Sequence, residues 1–363
     1  MINRDLLNIF LDVIKLDALS GYEKTVADYI RSSLAPYNLE INEDESNKFS
    51  GSDTGNLICE INGGGDFVIL SHMDTARSTK AVVPVLNEDR ITSSGDTVLG
   101  VDNRVGIAVI LYTIKRIFSE GIKTKPFTVA FTTCEETTLL GSKNLGLNKN
   151  IKKGFVFDSS LRPGNFIYSA CGSMCFKAEI IGKASHSGLA PEMGINSIEI
   201  AGKAISKIKQ GKYNKDTTVN IGIINGGTAV NVVPEKTTLE GEVRSFNRNT
   251  VEAVINEIND TFKNEAEQLG GHVNFTAEWD FEPYKIPFNS DVYKEISATI
   301  IKCGLDPIPV LSLGGSDANS LNANGITSVN IGIGAQNPHS NDEFILFEDL
   351  QKSAEIAMSL ITQ

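Results

Sequence analysis

Histidine and carboxylate side chains stand at or near the ends of several apolar runs in this 363-residue chain. The run 66–72 (DFVILSH) ends in a histidine, 126–136 (PFTVAFTTCEE) ends in two glutamates, and 154–160 (GFVFDSS) carries an aspartate. A fourth run, ITSVNIGIG, precedes NPHSNDE, and another aspartate opens the helical segment GVDNRVG. Imidazole and carboxylate ligands without thiolates are typical of catalytic zinc. The candidates are His72, Asp102, Glu135, Glu136, Asp158 and His339.

Two histidines and at least three acids are more ligands than one catalytic zinc ion takes, because such an ion keeps a coordination position open. They suffice for two ions that share one bridging carboxylate. Two-metal hydrolytic sites hold their ions about 3.5–4 Å apart, which is close enough to share a water molecule. The residue types therefore predict a two-metal hydrolase.

The local spacings predict how the acids divide the work. His72 and Asp74 are two positions apart, so on an extended strand they point to the same side, and Asp74 can orient the imidazole. Glu135 and Glu136 are adjacent and need not have the same task. One can bind metal while the other takes a proton from water.

The elements that must position these residues form a predicted α/β sheet. Near-continuous apolar strands alternate with amphipathic segments such as 105–118, which is typical of a sheet covered by helices on both faces. In such sheets functional groups gather beyond the carboxyl ends of the strands. An isolated His or Asp is more often a structural hydrogen-bonding residue, so the prediction depends on the shared placement of all these residues.

A second domain is predicted between residues 168 and 278. Its pattern reads strand, helix, strand, strand, helix, strand, which is the split βαβ arrangement. The sequence then returns to α/β material at DVYKEISATIIKCG. The expected organisation is a catalytic domain in two parts, 1–167 and 279–363, with the domain 168–278 inserted between them.

Composition excludes several classes of function. The formal net charge of −12 argues against nucleic acid or an anionic membrane surface as partner. No apolar run is long enough to span a membrane. Five cysteines form no paired framework, which predicts a reduced, cytoplasmic location. Cys171 and Cys175 have no second Cys or His pair nearby, so both are predicted to be buried apolar side chains.

Five segments resemble, in order, the metal-site segments of the dinuclear zinc exopeptidases: LSHMDT, GVDNRVG, TTCEETTLLGSK, FDSS and NPHSNDE. The segments ASHSGLAPEMGINSI, NGGTAVNVVPEKTTLEGEVRSF and GGSDANSLNANGI extend the resemblance over nearly the whole chain. The chain is most similar to the peptidase T-like members, in the group that includes carboxypeptidase G and aminoacylase. A sister group of aminopeptidases inserts its extra domain between the first His and the bridging Asp. Here only 29 residues (73–101) lie between His72 and Asp102.

This resemblance implies a role for each matching position. Asp102 would bridge two metals, Asp74 would support His72, and Glu135 would act as general base and then acid. His186 would stabilise the oxyanion. Asn103 departs from the peptidase T pattern, which has a second Asp there. The implied metal ligands are His72, Asp102, Glu136, Asp158 and His339, and the implied substrate-binding residues are Asn231, Arg244 and Ser316.

The resemblance also implies the fold and the reaction. The fold would be a mixed sheet covered by helices, with an inserted α+β ferredoxin-like lid domain that forms a homodimer. The enzyme would use two divalent ions, zinc or alternatively cobalt or manganese, to hydrolyse short peptides such as tripeptides by attack of a metal-bridging water. The alternative is an amidohydrolase acting on N-acyl amino acids or N-acyl diamines. A catalytically silent binding protein is disfavoured because every metal and base position is filled.

Overall fold

The computed structural model describes residues 2–362. The helices are α1 (Arg4–Val13), α2 (Lys24–Leu34), α3 (Asn47–Ser50), α4 (Val101–Glu120), α5 (Leu140–Lys143), α6 (Ser197–Lys207), α7 (Arg248–Gln268), α8 (Asp291–Lys302), α9 (Asp317–Ala323) and α10 (Phe347–Ile361). The strands are β1 (Ile41–Glu43), β2 (Leu57–Ile61), β3 (Phe67–His72), β4 (Pro84–Leu86), β5 (Arg90–Ser93), β6 (Phe127–Thr132), β7 (Lys153–Ser159), β8 (Asn165–Ala170), β9 (Gly172–Ile181), β10 (Ser185–His186), β11 (Gly211–Lys212), β12 (Thr217–Gly226), β13 (Val232–Val233), β14 (Lys236–Ser245), β15 (His272–Phe281), β16 (Tyr284–Lys285), β17 (Ile308–Ser312), β18 (Thr327–Gly332) and β19 (Phe344–Leu346).

The chain forms two compact units. The first comprises the chain up to Ser169, then Lys285–Ser312, and then the chain from Ser316 onward. The second comprises Ala170–Tyr284 together with Leu313–Gly315. The strand β15 runs on to Phe281, past the expected boundary at 278.

A mixed sheet of nine strands is the centre of the first unit, and its main order is β1-β2-β6-β3-β7-β18-β8-β16. The neighbours β6, β3, β7 and β18 are parallel. The pairs β1 with β2, β2 with β6 and β8 with β18 are antiparallel. All six residues of β3 and all six of β6 are buried, which explains their continuous apolar sequence. The predicted α/β class with a mixed, helix-covered sheet is confirmed.

The second unit follows the predicted strand and helix order. Its antiparallel sheet has the order β11-β12-β14-β9-β15, so the four long strands have the ferredoxin-like arrangement. Residues of α6 and α7 share a buried core with the sheet, which includes Phe176, Leu239 and Phe262. The inserted antiparallel α+β domain is therefore confirmed as a fold.

Membrane-spanning helices are absent from residues 2–362, because none of the helices there combines the necessary length with the necessary hydropathy.

Candidate metal centre

Parallel strands deliver the candidate ligands to one edge of the first unit's sheet. The residue His72 ends β3, Asp158 lies one position before the end of β7, and Glu135 and Glu136 follow β6. The strand β3 pairs in parallel with both β6 and β7, so the carboxyl ends of all three strands meet at this edge. This is why Asp158, which is 86 residues from His72 in the sequence, approaches the His72 imidazole.

Asp102 lies between the two histidines. Its Oδ1 is 3.1 Å from Nε2 of His72, and its Oδ2 is 3.3 Å from Nε2 of His339. The ring of His72 also lies 3.2 Å from Asp158 Oδ1, and the ring of His339 lies 3.0 Å from Glu136 Oε1. The structure thus brings together the five residues expected to bind metal, in two groups that share Asp102.

The start of α4 places Asp102 and Asn103. Both residues have non-helical backbone angles, and the peptide bond between them is cis. The side-chain amide of Asn103 donates to the Phe157 carbonyl and, at 2.9 Å, to Asp158 Oδ1. An ionised aspartate at position 103 would lack this donor, so the Asn103 departure supplies a hydrogen bond to one of the candidate ligands.

The electrostatics of the cluster favour cations. Burial alone would lower the pKa of His72, but Asp102, Asp158 and Asp74 around its ring raise that pKa well above its usual value. Asp102 and Glu136 raise the pKa of His339 to about 10. Burial and the nearby Asp102 raise the pKa of Asp158 to about 7. Buried carboxylates in excess of buried cations attract positive charge of any kind, whether protons or metal ions.

The donor set also fits divalent metal ions. One donor atom each from His72, Asp102 and Glu136 lies within 4.8 Å of the others. Glu136 Oε1 is buried and receives no hydrogen bond, although an imidazole nitrogen is close to it. A buried acceptor without a donor is costly unless a ligand satisfies it. Imidazole and carboxylate donors without a thiolate suit zinc, and cobalt and manganese also accept them.

Asp74 holds more than the imidazole of His72. Its Oδ1 lies 3.3 Å from His72 Nδ1, as the spacing predicts. The same carboxylate accepts hydrogen bonds from the backbone N–H groups of Glu135 and Glu136, each at 3.1 Å, and from the Ser20 hydroxyl at 2.6 Å. Asp74 therefore fixes the turn that carries both glutamates.

Two further buried carboxylates hold the backbone around the cluster. Glu23 Oε1 accepts from the N–H groups of Gly21 and Cys134, the residue before Glu135. Glu343 accepts from the N–H of Gly100 at 2.6 Å and from the N–H of His339 at 2.8 Å. Glu343 thus ties the segment before Asp102 to the loop of the second histidine. Sequence reasoning missed both residues, although Glu343 lies inside the quoted segment NPHSNDE.

The surroundings of Glu135 favour the protonated form of its carboxyl. Burial, partly offset by His72, raises the pKa of its carboxyl well above the usual value, and the acids Asp158, Asp317 and Glu136 raise it further. A carboxylate with such a raised pKa is a stronger proton acceptor than an ordinary surface glutamate. Asp317, which sequence reasoning also missed, is buried at the start of α9 and accepts from the Thr132 hydroxyl at 2.5 Å.

The predicted substrate residue Ser316 lies in the first unit. It is buried and forms the N-cap of α9, and its N–H donates to Asn319 Oδ1 at 3.0 Å. Its contacts are those of a capping residue. Contact with substrate stays a prediction for this residue.

Three other predicted site residues lie in the second unit. His186 is exposed on β10, and its Nδ1 accepts from the N–H groups of Gly188 and Leu189. Asn231 is also exposed, and its carbonyl accepts from Ser187 N–H beside this histidine. Their catalytic and substrate-binding roles stay predictions.

Arg244 differs from the expectation in one respect. Its guanidinium binds both carboxylate oxygens of Glu242, at 3.0 and 2.9 Å, and a third nitrogen donates to the Leu313 carbonyl. The planar fork that would suit a substrate carboxylate is already occupied by the protein's own carboxylate. The pair is two positions apart on one strand, so the sequence spacing could have revealed it.

The burial prediction for the two nearby cysteines is right for Cys171 and wrong for Cys175. Cys171 is buried, whereas Cys175 is half-buried and its thiol lies 2.6 Å from Asp280 Oδ2. Cys175, Asp280 and Glu242 each offer a donor atom within 4.8 Å of the others, but Arg244 already neutralises Glu242. Burial and Asp280 raise the pKa of the Cys175 thiol to about 12, so it stays protonated.

Comparisons with known proteins match this chain to peptidases. Two family models match the chain: the peptidase dimerisation domain over residues 168–269 and peptidase family M28 over residues 56–189. The chain is 31% identical to "Uncharacterized protein YqjE" of Bacillus subtilis, over 100% of this chain and 99% of that protein.

Two solved structures are similar over nearly their whole length. A tripeptidase from Staphylococcus aureus superposes with a TM-score of 0.93 at 32% identity, over 100% of this chain and 98% of that one. The aminopeptidase PepT from Bacillus cereus superposes with a TM-score of 0.89 at 30% identity, over 99% and 98% of the two chains.

Proposed function

Because this chain belongs to the M20/M28 family of dinuclear metallopeptidases, which are hydrolases, we propose that it cleaves the amide bond of short peptides. The observation that carries the proposal is the position of Asp102, whose two oxygens face two histidines and so can bridge two ions. We propose zinc as the metal, with cobalt and manganese as substitutes.

We propose two roles for the residues of the cluster: five are metal ligands, and one is the general base. His72, Asp102, Asp158, Glu136 and His339 would hold two divalent ions. When bound, these ions supply the positive charge that polarises an amide carbonyl and makes water acidic enough to lose a proton near neutral pH. Glu135 accepts that proton on its carboxylate and later passes it to the leaving amine. Asp74 fixes the positions of Glu135 and Glu136 by accepting hydrogen bonds from their backbone N–H groups.

The second unit would complete the reaction. We assign His186 to donate a hydrogen bond to the oxyanion of the tetrahedral intermediate, where negative charge develops. Asn231 and Arg244 would contact the substrate, which for Arg244 requires a guanidinium nitrogen or Glu242 to change partners. The match to a peptidase dimerisation domain supports a homodimer formed through this unit.

The names of two similar solved structures support a proposal for the substrate class. A solved tripeptidase and an aminopeptidase are similar to this chain over nearly its whole length, which favours an aminopeptidase acting on tripeptides. None of the five cysteines, all of which lie within residues 2–362, forms a disulfide, which supports our proposal of a reducing, cytoplasmic location.

A substrate panel tests the proposal. The zinc-loaded protein is incubated with trialanine, dialanine, N-acetylalanine and an N-succinyl diamine, and released amines are measured. Faster release of the N-terminal residue from trialanine than from the other three supports the aminopeptidase. Preferred cleavage of an N-acyl compound would make the chain an amidohydrolase, and no turnover with both metals bound would make it a binding protein.

A further inference from the structure

Arg77 stands beside the metal centre and is used by none of the roles above. Its Nη1 donates to the backbone carbonyl of His339 at 3.2 Å. The ring of His339 is part of the ligand cluster, with Nε2 3.0 Å from Glu136 and 3.3 Å from Asp102. The guanidinium therefore lies within about one side-chain length of the cluster, and both belong to the first unit.

The loop that carries Arg77 is fixed on both sides. The hydroxyl of Thr75 donates to the Arg77 carbonyl at 2.9 Å, and Thr75 N–H donates to Ala18. Farther along the loop, Asp17 Oδ1 accepts from the Ser78 hydroxyl at 2.9 Å and from Thr79 N–H at 2.8 Å. Thr75 and Thr79 are buried, whereas Arg77 is exposed. The backbone is thus held in place while the arginine side chain is presented to solvent.

The guanidinium of Arg77 has donors to spare. An arginine has five N–H donors in one plane. Within residues 2–362, the His339 carbonyl is the acceptor that Arg77 meets, and no carboxylate pairs with it. This distinguishes Arg77 from Arg244 of the second unit, whose fork is held by Glu242.

A substrate carboxylate would match the unused donors of Arg77. A short peptide carries a carboxylate at its C terminus, and that group loses part of its hydration when it approaches the rim of the centre. A planar guanidinium at the rim fits a carboxylate with two parallel hydrogen bonds and so replaces the lost hydration. An extended peptide advances only about 3.3–3.6 Å per residue, so a carboxylate near the cluster belongs to a short substrate.

We propose that Arg77 is a specificity-determining residue that binds a carboxylate of the substrate, supplied by the peptide's C terminus or by an acidic side chain. This inference rests on the proposed peptidase function and deepens it, because it predicts a preference for short peptides with a free carboxylate. The hydrogen bond to the His339 carbonyl would hold the guanidinium in one orientation while the substrate carboxylate binds.

The test compares paired substrates in zinc-loaded enzyme. Steady-state kinetics are measured for trialanine, trialanine amide and alanyl-alanyl-aspartate α-amide, using wild type, Arg77→Met and Arg77→Lys. In the aspartate α-amide the C-terminal carboxyl is blocked and the side-chain carboxylate is free. Loss of one bidentate charged contact should raise KM for the carboxylate substrate about 10–100-fold in Arg77→Met, with kcat retained. Trialanine amide should be unaffected, and Arg77→Lys should recover part of the loss. A raised KM for trialanine would show that Arg77 binds the C-terminal carboxylate. A raised KM for the aspartate α-amide alone would show that it binds an acidic side chain.

The control variant is Lys80→Met, which removes an equal charge from the same loop at another exposed position. It should leave all three substrates unchanged. If Arg77→Met changes trialanine and its amide equally, or lowers zinc content, Arg77 only braces His339 and the subsite is refuted. If wild type with two bound metals cleaves no peptide, the proposed function fails first, and the subsite falls with it.

Discussion

Both units of this chain carry clusters of charged side chains, and the two clusters are satisfied in different ways. In the first unit, Asp102, Asp158 and Glu136 crowd around two histidines, and Glu136 Oε1 is buried without a hydrogen bond. In the second unit, the exposed pair Lys177 and Glu240 and the half-buried pair Arg244 and Glu242 neutralise each other.

The difference in pairing distinguishes a ligand-binding site in the first unit from a polar surface of ion pairs in the second. Charged residues that pair with one another need no further ligand, and exposed pairs add little stability. Buried acids in excess of cations are costly unless something positive joins them. The number of acids in a region is therefore less informative than the number left without a partner, which directs attention to the first unit.

Substitution of Glu135 should give the largest loss of activity. Glu135→Gln removes the proton acceptor and should lower turnover by about 10²–10⁴, the usual contribution of general acid–base catalysis. Metal content should stay at the wild-type level, because Glu136 remains. The measurement is kcat together with elemental analysis of the purified variant.

The matched variant is Glu136→Gln, which should lose metal as well as activity. If Glu135→Gln instead empties the site while residual turnover persists, the roles of the two glutamates have been exchanged.

Substitution of His186 asks whether the second unit takes part in chemistry at all. His186→Ala should lower turnover by about 10²–10³, which is typical for loss of one oxyanion donor, while metal content and folding stay normal. The control is His272→Ala, which replaces an exposed histidine of the same unit whose Nε2 is hydrogen-bonded to Asn274 Oδ1. Near-normal turnover of His186→Ala would restrict the second unit to dimerisation or specificity.

Glu343 tests whether the outer carboxylates support the centre. Glu343→Gln replaces one acceptor oxygen by an amide group, so the N–H of Gly100 or of His339 loses its acceptor. Loss of such supporting contacts typically costs about 10–100-fold in metal affinity or activity. Competition with a zinc chelator measures the affinity, and Glu348→Gln, an exposed position on α10, is the control. An unchanged zinc affinity would mean that the His339 loop holds its position without Glu343.

The smallest effect on stability and metal content is expected for the exposed ion pair of the second unit. Lys177→Met and Glu240→Gln break an exposed ion pair of the second unit's sheet, in which the two side chains are 54% and 45% exposed. Each should change the free energy of unfolding by about 0–1 kcal/mol in urea titration and leave metal content unchanged. A loss of metal in either variant would show that the second unit also contributes to the centre.

Much of the fold and of the inner cluster could be predicted from sequence. Strands such as β3 and β6 are buried on both faces, so their apolar runs are continuous and easily recognised. The inner residues follow those strands directly, which is why His72 and Asp158 were identified from their positions.

The outer carboxylates could not be predicted in the same way. Glu23 lies 111 residues from Cys134, and Glu343 lies 243 residues from Gly100, so only the folded chain brings each acid to its backbone partner. Arg77 was missed for a similar reason, because 262 residues separate it from His339. Local spacing carries no signal for hydrogen bonds of this range.

We propose that the cluster around Asp102 binds two divalent ions on which peptide hydrolysis depends. The most direct measurement is zinc content per chain during stepwise reconstitution of chelated protein, with trialanine turnover followed in parallel. Two zinc ions per wild-type chain, turnover that returns as they bind, and fewer than two in Asp102→Asn are the predicted results. Full turnover in protein shown by elemental analysis to be metal-free would contradict the account.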